Sequence, residues 1–185
     1  MIMTKTILFI LLMLPFSVKA QTVVYTGQAG KINFKSDAPL ELIQAQSDAL
    51  TGAINSADKS FLFSVKMNSF KGFNSELQRT HFNENYVESE KYPKAKFEGK
   101  IIEDIDLSKP GTYTVRAKGN IEIHGVKQQR IIKSTVTVSQ GSILIKSKFT
   151  VLITEHKIQI PYVVKQKLAE EIYVEISIVL KPKKS

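Results

Sequence analysis

From Thr112 to Ile123 the chain alternates without a break. Tyr113, Val115, Ala117, Gly119, Ile121 and Ile123 fall on one side, and Thr114, Arg116, Lys118, Asn120 and Glu122 on the other. Period two is incompatible with a helix and demands a strand with one dry and one wet face. At about 3.3 Å per residue such a strand runs roughly 40 Å, so it bends, and Gly119 is the natural place. The same rhythm recurs in Lys31–Lys35, in Phe61, Phe63, Val65 and Met67, and in Phe97, Gly99 and Ile101. It returns in Gln128–Val138 with Ile132, Val136 and Val138 inward, in Ile143, Ile145, Phe149, Val151 and Ile153, and in Ile172, Val174, Ile176, Ile178 and Leu180. Thr22–Thr26, Leu40–Gln46 and Gly52–Asn55 are weaker strands, the last two separated by a polar turn at Ser47-Asp48. His124-Gly125 and Gln140-Gly141 read as tight turns, and Glu103–Gly111 as a longer loop. The fold class is therefore all-β, with about eight antiparallel strands. Long bent strands favour a barrel over a sandwich, because closure removes exposed edges. An eight-stranded barrel is just wide enough to be filled by its own side chains or to hold one slender ligand.

One stretch departs from this rhythm. Ser75, with Gln78 three residues on, fits a capping box, and predicts a short helix from Glu76 to Asn83. Leu77 and Phe82 fall on its inner face, and Glu76, Gln78, Arg79 and Glu84 on its wet one. Pro93, which lacks an amide hydrogen, ends any helix and forces Tyr92 into extended geometry. A second, shorter helical segment is expected within Val164–Glu170.

The first residues do not belong to this pattern. Lys5, the apolar run Ile7–Phe16 and the small-residue site Val18-Lys19-Ala20 form a secretory signal peptide cleaved after Ala20, leaving one domain over residues 21–185. The expected location is periplasmic or secreted. With no cysteine in the chain, disulfides, thiolate metal sites and a thiol nucleophile are excluded, and stability rests on the core. Without Lys5 and Lys19 the basic count falls from 26 to 24 against 17 acidic residues, a net charge of about +7. That charge allows weak attraction to an anionic membrane surface. Nucleic acid is not an expected partner, because the lysines alternate along strands instead of clustering with aromatics.

Candidate sites are few. His81, His124 and His156 match no standard metal spacing, so no metal is expected, and His124 before Gly125 reads as a turn residue whose ring bonds nearby backbone. The inward faces carry Phe, Val, Ile, Tyr, Ala and Gly with almost no acid, so they lack the paired carboxylates or nucleophile and base of an enzyme, and no catalytic residue is assigned. Phe61, Phe63, Phe70, Phe73, Phe82 and Phe97 admit two readings, as core or as lining of an apolar pocket.

The motifs His81-Phe82-Asn83, then Ser89–Phe97 with Tyr92-Pro93, then Gly111-Thr112-Tyr113 through Gly119–Val126, resemble in order and spacing the landmarks of the YceI-like domain family. The resemblance covers roughly Ala29 to Leu180, although the opening Gly30–Ser36 replaces the family's usual His-Ser-containing strand. It implies an exported, lipocalin-like antiparallel barrel, some members of which hold an isoprenoid or other amphiphilic chain. The expected ligand-binding residues are Phe61, Phe63, Val65, Phe97, Tyr113, Val115, Ile121, Ile143 and Phe149. Tyr92, Tyr113 and Tyr162, with Arg79 or His81 at the mouth, are candidates for a polar head group. The resulting expectation is a non-enzymatic carrier with no cofactor beyond its lipid: an isoprenoid, a quinone or a fatty acid. Two alternatives stand beside it, a filled barrel acting as a stress-related or scaffold protein through its surface, and a histidine-using enzyme or redox accessory. The oligomeric state stays open, a homodimer included.

Overall fold

In a computed structural model the described residues, 23–183, form a closed barrel of eight antiparallel strands in sequence order. These are β1 (Val24–Asp37), β2 (Leu42–Asn55), β3 (Ser60–Lys66), β4 (Lys94–Ile101), β5 (Gly111–Ile123), β6 (Val126–Ser139), β7 (Ser142–Leu152) and β8 (Glu171–Pro182), with β8 closing onto β1. One short helix, α1 (Glu76–His81), interrupts the strands. The predicted signal peptide lies outside the described residues.

The up-and-down order sorts the connections onto two ends. Segments 38–41, 67–93, 124–125 and 153–170 gather at one end, here the upper. Segments 56–59, 102–110 and 140–141 lie at the lower end, together with both ends of the described chain. At the upper end the β5–β6 turn places His124 at φ 52° and Gly125 at φ 71°, the two left-handed residues that a tight hairpin needs.

Three sequence expectations change. Leu40–Gln46 and Gly52–Asn55 are not two strands, since β2 runs straight through Ser47-Asp48. Ser47 is fully buried because its hydroxyl shares a 2.6 Å hydrogen bond with that of Ser69, which meets the polar demand that a turn would otherwise have met. Val24–Thr26, the described part of the first expected strand, and Lys31–Lys35 likewise belong to one strand, in which register shifts between Gly27 and Ile32 absorb the glycines as an irregularity. The last strand runs past its expected end at Leu180, with Lys181 and Pro182 as its final rungs opposite Thr26 and Tyr25.

Midway up the barrel the inner face is pinched by glycines. Gly99 of β4 sits opposite Gly119 of β5, and a Cβ on Gly119 would lie 2.2 Å from the Glu98 carbonyl oxygen. Gly52 similarly leaves room for the Phe63 ring, which would stand 2.5 Å from an added Cβ. With these backbones bare, three rings from the paired strands β3 and β4 pack together in the interior. Phe61 packs at 5.7 Å from Phe63 and 4.8 Å from Phe97, making a floor.

Candidate functional site: an apolar cavity above an aromatic floor

Below the floor the barrel is solid. Val115, Val136, Ile143, Ile145, Ile178 and Leu180, from β5, β6, β7 and β8, are all buried. Above it the same alternation continues, yet Ile32, Phe34, Phe63, Phe97, Phe149 and Ile176 are only half-buried although they point inward. They surround a cavity of about 1170 Å³, counting the space open to solvent.

The roof is built by the long β3–β4 connection. Ser75 caps α1 by accepting from the Gln78 amide at 3.2 Å. The Gln78 side chain reaches back one residue further than a capping box requires, accepting from the Asn74 amide at 3.1 Å, and also donates to Glu41. Beyond His81 the chain widens into a π-helical turn, Phe82–Tyr86, in which the Val87 amide donates to the Phe82 carbonyl. The turn carries Phe82 inward, where it stacks on Phe34 at 5.4 Å and also meets Phe70 and Phe73. The phenylalanines that looked like one cluster are therefore two, a floor and a roof. Leu77, expected on the inner face of α1, is instead 64% exposed, because Gln78, His81 and Phe82 take the inward positions.

The cavity offers little to a polar guest. Ser36 and Ser64 line it, but the Ser36 hydroxyl accepts from the Ala169 amide at 2.9 Å and the Ser64 hydroxyl donates to the Ala95 carbonyl at 3.2 Å. A buried group whose hydrogen bonds are already made gains nothing from a polar ligand, so the space favours an apolar one. A second pocket lies beyond Phe34, Phe82, Tyr86 and Leu168, which line both spaces. Glu41, Gln78, His81 and Lys167 give it a polar wall.

Of the nine residues expected to bind ligand, the cavity gathers five: Phe63, Val65, Phe97, Ile121 and Phe149. The other four lie outside it. Phe61 is part of the floor, Val115 and Ile143 are buried beneath it, and Tyr113 stands at the lower end with its hydroxyl donating to the Lys109 carbonyl at 3.1 Å. Among the head-group candidates, His81 reaches the second pocket, Arg79 pairs with Glu76, Tyr92 packs on the His124 ring, and Tyr162 is exposed. Sequence reasoning missed Ile32 and Phe34 as lining. The Lys31–Lys35 alternation was visible, but not that β1 faces the roof.

Two histidines hold the rim. His156 is buried, with Nδ1 donating to the Val126 carbonyl at 3.0 Å; His124 donates from Nδ1 to the His156 carbonyl at 3.2 Å, and its Nε2 lies against the Glu88 carboxylate. Burial holds the His156 imidazole below its ordinary pKa, opposed by the Val126 carbonyl, which favours the protonated ring. Glu155 is tied to Arg130. Among the described residues no group of three or more His, Asp or Glu could hold a metal ion.

The sequence profile of the YceI-like domain matches residues 17–180. The chain belongs to the YceI-like domain family. Solved structures share this fold at low sequence identity, among them the following three. A polyisoprenoid-binding domain from Saccharophagus degradans, implicated in plant cell wall breakdown, superposes with a TM-score of 0.72 at 14% identity, covering 88% of this chain and 100% of that one. Burkholderia cenocepacia BcnA gives 0.68 at 12% identity over 81% and 95% of the two chains. The Campylobacter jejuni YCEI protein gives 0.56 at 14% identity over 98% and 94%. No curated protein matches the chain in sequence.

Proposed function

We propose that this YceI-like protein is an exported, non-enzymatic carrier that holds one amphiphilic lipid, an isoprenoid, a quinone or a fatty acid, in the upper half of its barrel. The observation that carries this reading is a cavity lined almost wholly by apolar side chains, in which the Ser36 and Ser64 hydroxyls already bond backbone groups. The likeness to a polyisoprenoid-binding domain supports it. The chain of the lipid lies between the floor and roof phenylalanines, and its polar end meets Gln78, His81 and Lys167 in the second pocket. Selection is by partition. Burying hydrocarbon is favourable by about 0.8 kcal/mol per CH2, so about ten carbons gain about 8 kcal/mol. That is enough to offset an association cost of about 4–15 kcal/mol in its lower range. The floor would limit the length of chain accepted.

The test is native mass spectrometry of residues 21–185, purified from its exported form without detergent, followed by solvent extraction. A discrete added mass that extracts as a lipid is the expected result. A bare polypeptide that stays bare after incubation with quinones and fatty acids would overturn the carrier.

A further inference from the structure

The mouth of the cavity has an apolar crown. Three elements bound it: the 38–41 turn, α1 and the 161–168 loop. They are joined to one another, since the Leu40 amide donates to the Gln166 carbonyl at 2.9 Å and Gln78 of α1 donates to Glu41. Each carries a large apolar side chain that no neighbour covers. Leu40 is 65% exposed, Leu77 64%, Tyr162 86% and Val163 85%. A stable, hydrogen-bonded frame that holds apolar side chains out to solvent at one end is the mark of a contact surface. The same loop carries Lys165 and Lys167, neither paired with a carboxylate among the described residues. On the three elements themselves the carboxylates are engaged, Glu41 accepting from Gln78 and Glu76 pairing with Arg79; Glu84 follows α1 on the roof, and Glu170 and Glu171 stand at the foot of the loop where β8 begins. Both ends of the described chain are at the opposite end of the barrel, clear of this face.

We propose that this rim docks on the surface of an anionic lipid bilayer, mouth first. Tyr162, Val163, Leu40 and Leu77 enter the interfacial layer, where an aromatic ring with a polar tip and aliphatic side chains are at home, while Lys165 and Lys167 meet anionic head groups. Charge complementarity selects this occupant over a second copy of the chain, since two such rims would oppose lysine to lysine. The inference deepens the carrier reading, on which it rests for what passes through the mouth, because it lets a lipid move between bilayer and cavity without crossing water.

Vesicle flotation of the mature protein tests it. With vesicles of phosphatidylcholine containing about 30% phosphatidylglycerol the protein floats, and with phosphatidylcholine alone binding falls about tenfold. Tyr162→Ser with Val163→Ser removes flotation, and Lys165→Glu reduces it severalfold. Wild-type protein that stays down with both vesicles overturns the proposal, and so does a double variant that floats as well as wild type. If the double variant unfolds, hydrogen exchange on wild type decides: slowing at 38–41 and 161–168 on adding anionic vesicles supports docking, and slowing at 102–110 instead overturns it. A dimer that the double substitution splits, without vesicle binding, assigns the rim to a second copy and overturns it as well. The two readings fail separately. A chain that floats but is bare by mass spectrometry keeps the docking and loses the carrier; one that carries lipid but does not float does the reverse.

Discussion

The lower and upper halves of this barrel are made of the same strands, with the same alternation, and differ in what their inward side chains meet. Below the Phe61–Phe63–Phe97 floor, Val115, Val136, Ile143 and Leu180 close on one another and are buried. Above it, Phe97, Phe149 and Ile176 point the same way and face open space. The difference arises because in the lower barrel Ile54 and Phe61, from β2 and β3, join the aliphatic side chains of β5 to β8 in one buried core, whereas the upper barrel is capped by a roof. The β3–β4 connection puts Phe70, Phe73 and Phe82 against Phe34 and closes the cavity from above. One half is filled by its own side chains and the other encloses open space.

The largest effect that separates the halves is a buried charge. Val115→Arg places a guanidinium in the filled half with no partner, at a cost of more than about 5 kcal/mol, and circular dichroism should find no cooperative melt. Phe63→Arg, facing the cavity, should keep the barrel and lose the lipid by native mass spectrometry. If both variants fold and release lipid, the floor does not divide the barrel. A smaller contrast comes from truncation. Ile143→Ala should lose about 2–5 kcal/mol in urea denaturation, and Ile176→Ala less than about 1.5 kcal/mol in lipid-free protein, because the second side chain already lacks neighbours on one side. Equal losses would mean that the cavity collapses in solution.

The smallest effect concerns the rim. His156 has a folded-state pKa below its ordinary value of 6.5, caused first by burial. The unfolded chain therefore binds the proton more readily, and stability is fully present above about pH 6.5 and declines as pH falls from there toward the folded pKa, by at most about 1.4 kcal/mol per pH unit. His156→Gln should flatten that slope in melting curves taken between about pH 5 and 7. An unchanged slope would remove His156 as the rim's titrating clamp.

Much of this was written in the sequence. The alternation of Thr112–Ile123 assigned its inward face correctly, Ser75 and Gln78 marked the start of α1, and His124-Gly125 and Gln140-Gly141 are turns where expected. Local chemistry sufficed there, because a strand's faces and a helix's cap depend on residues within a few positions of each other. Ser47-Asp48 failed by the same logic. Its partner, Ser69, is 22 residues away, and without it two polar residues in a row look like a turn.

The period-two pattern by itself determined which residues point inward, and hence that the chain makes a barrel with an apolar interior. It could not say at what height each residue stands, because height depends on the register between strands distant in sequence. Val115 and Ile121 lie on one face of one strand, yet the pairing of Gly99 with Gly119 and the rings packed into the floor leave one in the solid core and the other at the cavity. That division exists only once the sheet has closed on itself, since the rings that form it come from β3 and β4 and the roof that keeps the space open is anchored on β1 and β2.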